Sequence, residues 1–162
     1  MDGLSAAASG IAVVSLAIQL VDSVREMQRF LRDVSEAPKE LRRLIDLLEQ
    51  LELILENIGA LVERQQQGAV QTELDLSASI LKAMKTCESK LKMLEDVVGT
   101  AKKSANATNK ATRKFGDFRL ACKKDNIEDC ERQLHDAISL LHLAMTTNLT
   151  YVETPNDMCQ FD

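Results

Sequence analysis

Seven apolar residues set the terms for this chain. Leu41, Leu44, Leu48, Leu51, Leu55, Ile58 and Val62 recur at spacings of three, four, three, four, three and four. That period puts all seven on one side of a single α-helix and makes a coiled-coil-type seam. A strand would need alternation, and a loop would need turn residues. Ile45, Leu47, Leu53, Ile54 and Leu61 widen the seam. A widened seam suits a bundle helix with neighbours on two sides better than a two-stranded coil. Pro38 fits the first position of this helix, where no N–H is required. Gly68 closes it after Gln65, Gln66 and Gln67.

Partners for the seam come from three further segments. Ile80, Met84, Cys87, Leu91, Leu94 and Val98 form a second stripe. It is opened by Thr72-Glu73-Leu74-Asp75, a near capping box, and Gly99 is a suitable C-terminal stop. Ile127, Cys130, Leu134, Ile138, Leu141, Met145 and Leu149 form a third stripe after an acidic start at Asp125. Between these two, Thr100 to Lys124 has helical spacing but small or β-branched residues and an internal Gly116, so a helix with a kinked second half is expected there. Scarce glycine and proline and only 3% aromatic residues favour long helices over a sandwich or barrel. The expected fold is all-α, a helical bundle of four to five long antiparallel helices spanning residues 1–150. Residues 151–162 read as a flexible tail or linker.

The first segment differs from the others. Gly3 to Val21 is nineteen residues without a charge. At ~1.5 Å per residue it would reach ~28 Å, near the thickness of a bilayer's hydrocarbon core. Ser5, Ser9, Ser15, Gln19 and many alanines weaken it as a span. Its stripe is Ile11, Val14, Ile18, Val21, Val24, Met27, Leu31 and Val34. Because it is apolar nearly all round before Asp22, its first half is expected to be buried on most sides. Gly3, Gly10 and Ala17 recur every seven residues and would allow close helix packing, in lipid or within the chain's own bundle. The candidate membrane-active helix therefore comprises Gly3, Leu4, Gly10, Ile11, Val14, Ala17, Ile18 and Val21.

Charge is unevenly placed. The segment Ala101–Lys124 carries eight basic residues against Asp117, a net +7, which leaves −12 on the rest of a chain whose total is −5. Lys102, Lys103, Lys110, Arg113, Lys114 and Arg119 are candidates for an anionic-lipid or partner patch. Neutralisation by the acidic helices of the same chain is the plainer alternative. Nucleic acid is disfavoured, because the chain as a whole is acidic and few aromatics accompany the basic residues.

Chemistry-bearing motifs are missing. No phosphate-cradling glycine loop is present, and nothing resembles a nucleophile–base–orienter set. His135 and His142 stand seven apart, about ~10 Å, too far to share one metal ion. Glu49, Glu52 and Glu56 read as a solvated face. The four cysteines have no C-x-x-C spacing and read as reduced thiols, three of them at apolar helix positions. No basic region precedes the apolar run, so the start is unlike a secretory signal. No enzyme, cofactor, metal or small-molecule substrate is therefore expected. A protein partner or self-association is expected, and an anionic membrane is a further candidate.

The opening Met1-Asp2-Gly3-Leu4-Ser5, followed by the small-residue run into Leu20-Val21, resembles fungal N-terminal helical domains of STAND and NACHT proteins, in the HeLo-like group. The resemblance continues through Lys39-Glu40-Leu41-Arg42-Arg43-Leu44. It returns in Cys130-Glu131-Arg132-Gln133-Leu134 and in Leu140-Leu141-His142-Leu143-Ala144-Met145. It covers most of residues 1–149. Such domains often begin Met-Asp-Pro, where this chain has Gly3, and residues 100–118 match poorly. The resemblance implies a cytoplasmic, non-enzymatic signalling or effector domain at the head of a receptor-like protein. Some relatives execute cell death by inserting the N-terminal helix into the plasma membrane from its inner face. Others, including small proteins of pigment gene clusters, have no established activity. The alternative is an interaction or oligomerisation module without membrane activity.

Overall fold

The computed structural model describes the backbone of residues 3–33, 39–67, 74–107 and 124–152, with side chains described through most of each stretch. Four helices account for all of it: α1 (Gly3–Asp33), α2 (Lys39–Gln67), α3 (Leu74–Ala107) and α4 (Lys124–Val152). No strand occurs among the described residues, and the architecture is the helical bundle that the apolar periodicity calls for. Pro38, Thr72 and residues 108–123 and 153–162 lie outside the described part. The expectations placed on Lys110, Arg113, Lys114, Arg119 and residues 153–162 of the tail therefore lie outside it as well, whereas Tyr151 and Val152 belong to α4.

The helices form a ring. α1 packs on α2 and α3, and α4 packs on the same two, with much weaker contact across the diagonals. α1 and α2 are antiparallel: Ala17 lies by Gly59, Arg25 by Glu52 and Arg32 by Glu49. α1 and α3 run parallel, since Ser23 meets Glu95 and Glu26 meets Lys102. The link from α2 to α3 therefore joins diagonal partners.

One core fills the ring. All seven seam residues of α2 are at most 2% exposed, and Ile80, Met84, Cys87, Leu91, Leu94 and Val98 of α3 are buried with them. Cys130, Leu134, Ala137, Ile138 and Leu141 close the core from α4. Each leucine taken wholly out of water contributes about 1.5–3 kcal/mol, so the α2 seam is the main apolar investment of the fold.

Three expectations about the elements need correction. Gly99 does not end α3, which continues through Ala107. A glycine is tolerated inside a helix at a modest cost, and here Ala101 carries the buried stripe on from Val98, so burial outweighs the local cost. The stretch from Thr100 is thus, as far as Ala107, the end of α3 and not a separate helix. Leu53 does not widen the α2 seam: it is 59% exposed, because it lies on the side of α2 that faces neither α1 nor α4.

Candidate functional site

The third correction concerns α1 and defines the site. From Gly10 to Val21, where its side chains are described, it is buried on one side only. Gly10, Val13, Ala17, Leu20 and Val21 face the core, while Ile11 is 63% and Ile18 57% exposed. Val14 is half-buried between them. The reason is the ring: α1 has two strong neighbours, and its remaining face meets solvent. Two isoleucines seven residues apart thus stand outward on a stretch without charge. Ala12, Ser15 and Gln19 are exposed around them.

The buried side explains the small residues. A Cβ built at Gly59 of α2 would lie 3.7 Å from the Cβ of Ala17. The two backbones come close here because one residue has no side chain and the other a methyl group. Gly10 is buried one heptad earlier. The small-residue line is therefore used inside the bundle. Gly3 and Leu4 belong to α1, but their side chains are not among those described.

The second half of α1 is held by charge. Arg25 Nε donates to Glu52 Oε1 and Arg25 Nη2 to Glu56 Oε1, both at 2.6 Å. Gln28, only 4% exposed, donates its amide to Glu52 Oε2 at 2.8 Å. Arg32 Nη2 donates to Glu49 Oε1 at 2.5 Å. Glu49 and Glu56 are exposed, as a solvated face requires, and with the half-buried Glu52 they also pair with α1 across the helix interface. Helical periodicity places these residues off the core, and their partners come from another helix. Burial works against the charge on Glu52, but the hydrogen bonds from Arg25 and Gln28 outweigh it, so its carboxyl sits below the usual range. The bond to Glu52 correspondingly raises Arg25.

The opposite flank of α1 meets α3 around a cleft of about 210 Å³ lined by Ser23, Glu26, Met27, Glu95, Val98, Gly99 and Lys102. Ser23 donates to Glu95 across it. Lys102 Nζ donates to Glu26 Oε1 at 2.5 Å and stands 5.8 Å from the centre of the Phe30 ring. The hydrogen bond from Lys102 holds Glu26 below the ordinary carboxylate value. Lys102 is therefore engaged inside the chain, with a partner on α1 rather than on the acidic helices α2 and α4. Lys103 is exposed.

The remaining candidates sort simply. The α2 seam, Leu41 through Val62, is occupied by the chain's own core. Lys90 bonds Gln133 at 2.9 Å and Asp136 at 3.1 Å on α4. Lys82, Lys85, Glu88 and Lys92 are exposed, as are His135 and His142. Among the described residues no group of histidine, cysteine and carboxylate side chains is placed to hold a metal ion. No described helix is long and apolar enough to cross a membrane. Sequence reasoning named Ile11 and Ile18 as candidates but not their outward orientation, because both residues also fit an inward stripe.

No curated protein and no solved structure matches this chain. The family model described as pigment biosynthesis cluster protein PigL N-terminal matches residues 1–158. The match spans nearly the whole chain, including all four helices, and the chain belongs to this PigL N-terminal family.

Proposed function

We propose that this chain is a non-enzymatic signalling or effector module that works by contact, through the outward face of the first half of α1. The exposure of Ile11 and Ile18 carries this reading. A helix that could place two isoleucines in a core and instead holds them in water has a surface that gains from being covered. The surface is uncharged, so a partner would be recognised by shape and apolar contact. In the setting implied by the STAND and NACHT resemblance, the module would sit in the cytoplasm and pass a signal by association. The family description refers to pigment biosynthesis clusters, and on this reading the chain would serve such a cluster by binding rather than by catalysis.

A second reading has the same face settle on the inner surface of an anionic membrane, as the cell-death relatives would suggest. The nineteen uncharged residues of Gly3–Val21 favour it. Such contact would be interfacial, with the isoleucines entering the head-group boundary and Lys103 available to acidic lipids.

Light scattering across a concentration series, alone and with phosphatidylserine vesicles, tests both readings. Association that is abolished by Ile11→Asp with Ile18→Asp supports the contact module. Vesicle binding or dye leakage lost in the same variant supports the membrane reading. A native chain that stays monomeric and ignores vesicles overturns both.

A further inference from the structure

Two heptad lines run side by side along the outer edge of the α1–α2 contact. On α1 the line is Ile11, Ile18, Arg25 and Arg32, and on α2 it is Glu49, Glu56 and Glu63. Residues seven apart on a helix drift only ~20° from one line, and the helices are antiparallel, so the lines meet rung by rung. Arg32 pairs with Glu49 at 2.5 Å and Arg25 with Glu56 at 2.6 Å. The next rung sets Ile18 toward Glu63, and there the ladder of charge breaks. Gly59 lies opposite Ala17, so Glu63, one turn further along α2, stands between the levels of Ile18 and Ile11. Glu63 is exposed and makes no ion pair with any described residue. Arg64, next in sequence, projects ~100° further round the helix.

The outward isoleucines are thus flanked by an unneutralised carboxylate of α2. Asp22, one turn after Ile18 on α1, adds a second exposed one. This pattern discriminates among occupants. A two-fold that packs the isoleucines of two copies together either opposes Glu63 to Glu63 or leaves both without a cation. An anionic membrane would meet the same carboxylates at its own negative surface. A helix with apolar residues on one side and lysine or arginine beside them satisfies every group: it covers Ile11, the half-buried Val14 and Ile18, and it brings a cation to Glu63 as Arg25 brings one to Glu56.

We propose that the α1–α2 face at Ile11, Ile18 and Glu63 is the docking site for a basic amphipathic helix of a protein partner, which completes the third rung of the ladder. The proposal rests on the contact reading and adds to it the sign of the partner's charge.

The probes are two synthetic helical peptides three heptads long, with identical leucine spacing and with flanking lysines in one and flanking glutamates in the other. Fluorescence anisotropy with the full chain at low salt is expected to show the lysine peptide bound at least tenfold more tightly. Glu63→Lys should cut that preference at least fivefold. Glu88→Lys, the same charge reversal on the exposed face of α3, should leave it within twofold of native. Ile11→Ser with Ile18→Ser, which adds no charge, should abolish binding of both peptides. Equal affinity for the two peptides, lost in the isoleucine variant, would overturn the basic partner and leave the contact reading standing. A preference that Glu63→Lys leaves unchanged, or that Glu88→Lys reduces equally, would overturn the site. No peptide binding up to millimolar concentration, with self-association or phosphatidylserine vesicle binding in its place, would overturn the proposal in favour of that occupant.

Discussion

Glu52 of α2 accepts from two side chains of α1 at once, Arg25 at one carboxylate oxygen and the buried Gln28 at the other. The arrangement joins a solvent-facing ion pair to a polar group inside the core. Glu52→Ala is expected to cost about 1–3 kcal/mol in urea unfolding, because it strands the Gln28 amide without an acceptor. Adding Gln28→Leu should recover most of that loss. The exposed ion pair itself contributes little, so the buried amide accounts for the effect.

The same carboxyl gives the fold an acid-sensitive edge. Glu52 and Glu26 both lie below the ordinary value of 4.5 in the folded chain. As pH falls through that value, the unfolded chain takes up protons at these groups before the folded chain does. Their contribution is therefore fully present above it and is lost as pH drops through the lowered folded values. The thermal midpoint should hold steady above about pH 5.5 and decline below about pH 4.5, with a shallower decline in Glu52→Gln. Glu26 is largely exposed and should matter less.

Gly59 sits inside α2, opposite Ala17, with room for one methyl group at ordinary contact distance. Gly59→Ala is expected to stabilise the chain by roughly 0.5–1 kcal/mol, since a mid-helix glycine loses more freedom on folding than alanine. Gly59→Leu should instead destabilise it by forcing α1 and α2 apart. Differential scanning calorimetry of the two variants separates a merely unoccupied space from a close helix approach.

Cys87 and Cys130 are free and buried on α3 and α4. Burial, with help from Glu88, pushes the Cys87 thiol up to about 12, and burial raises Cys130 as well. Both should alkylate on the order of 100-fold more slowly in the native chain than in urea, because the reacting thiolate is nearly absent and shielded. Peptide mapping after a timed pulse of iodoacetamide reads each position.

Legibility of the fold varied with how many physical demands each segment met at once. The α2 seam was legible because seven residues keep one spacing and polar residues fill the opposite side. The α3 and α4 stripes followed for the same reason. In α1 before Asp22 almost nothing is polar, so two apolar stripes overlap by about a sixth of a turn. Periodicity favoured the one containing Ile11 and Ile18, and the fold uses the other. The buried Met27, Phe30 and Leu31 of the second half of α1, together with the pairing of Arg25 and Arg32 with α2, fix which one is used, and a contact between helices leaves no trace in the spacing of either one. The Glu49, Glu52 and Glu56 row was opaque for that reason too. At Gly99 a local stop signal yielded to the buried stripe that runs on through Ala101.

The central claim is that Ile18 belongs to the outer face of α1 and Val13 to the inner one. Urea unfolding of Ile18→Asp and Val13→Asp, side by side, tests it most directly. An exposed substitution should shift stability by no more than about 0.5 kcal/mol, whereas a carboxylate at the fully buried Val13 should cost several kcal/mol or prevent folding. A large loss in Ile18→Asp, equal to that in Val13→Asp, would contradict the account.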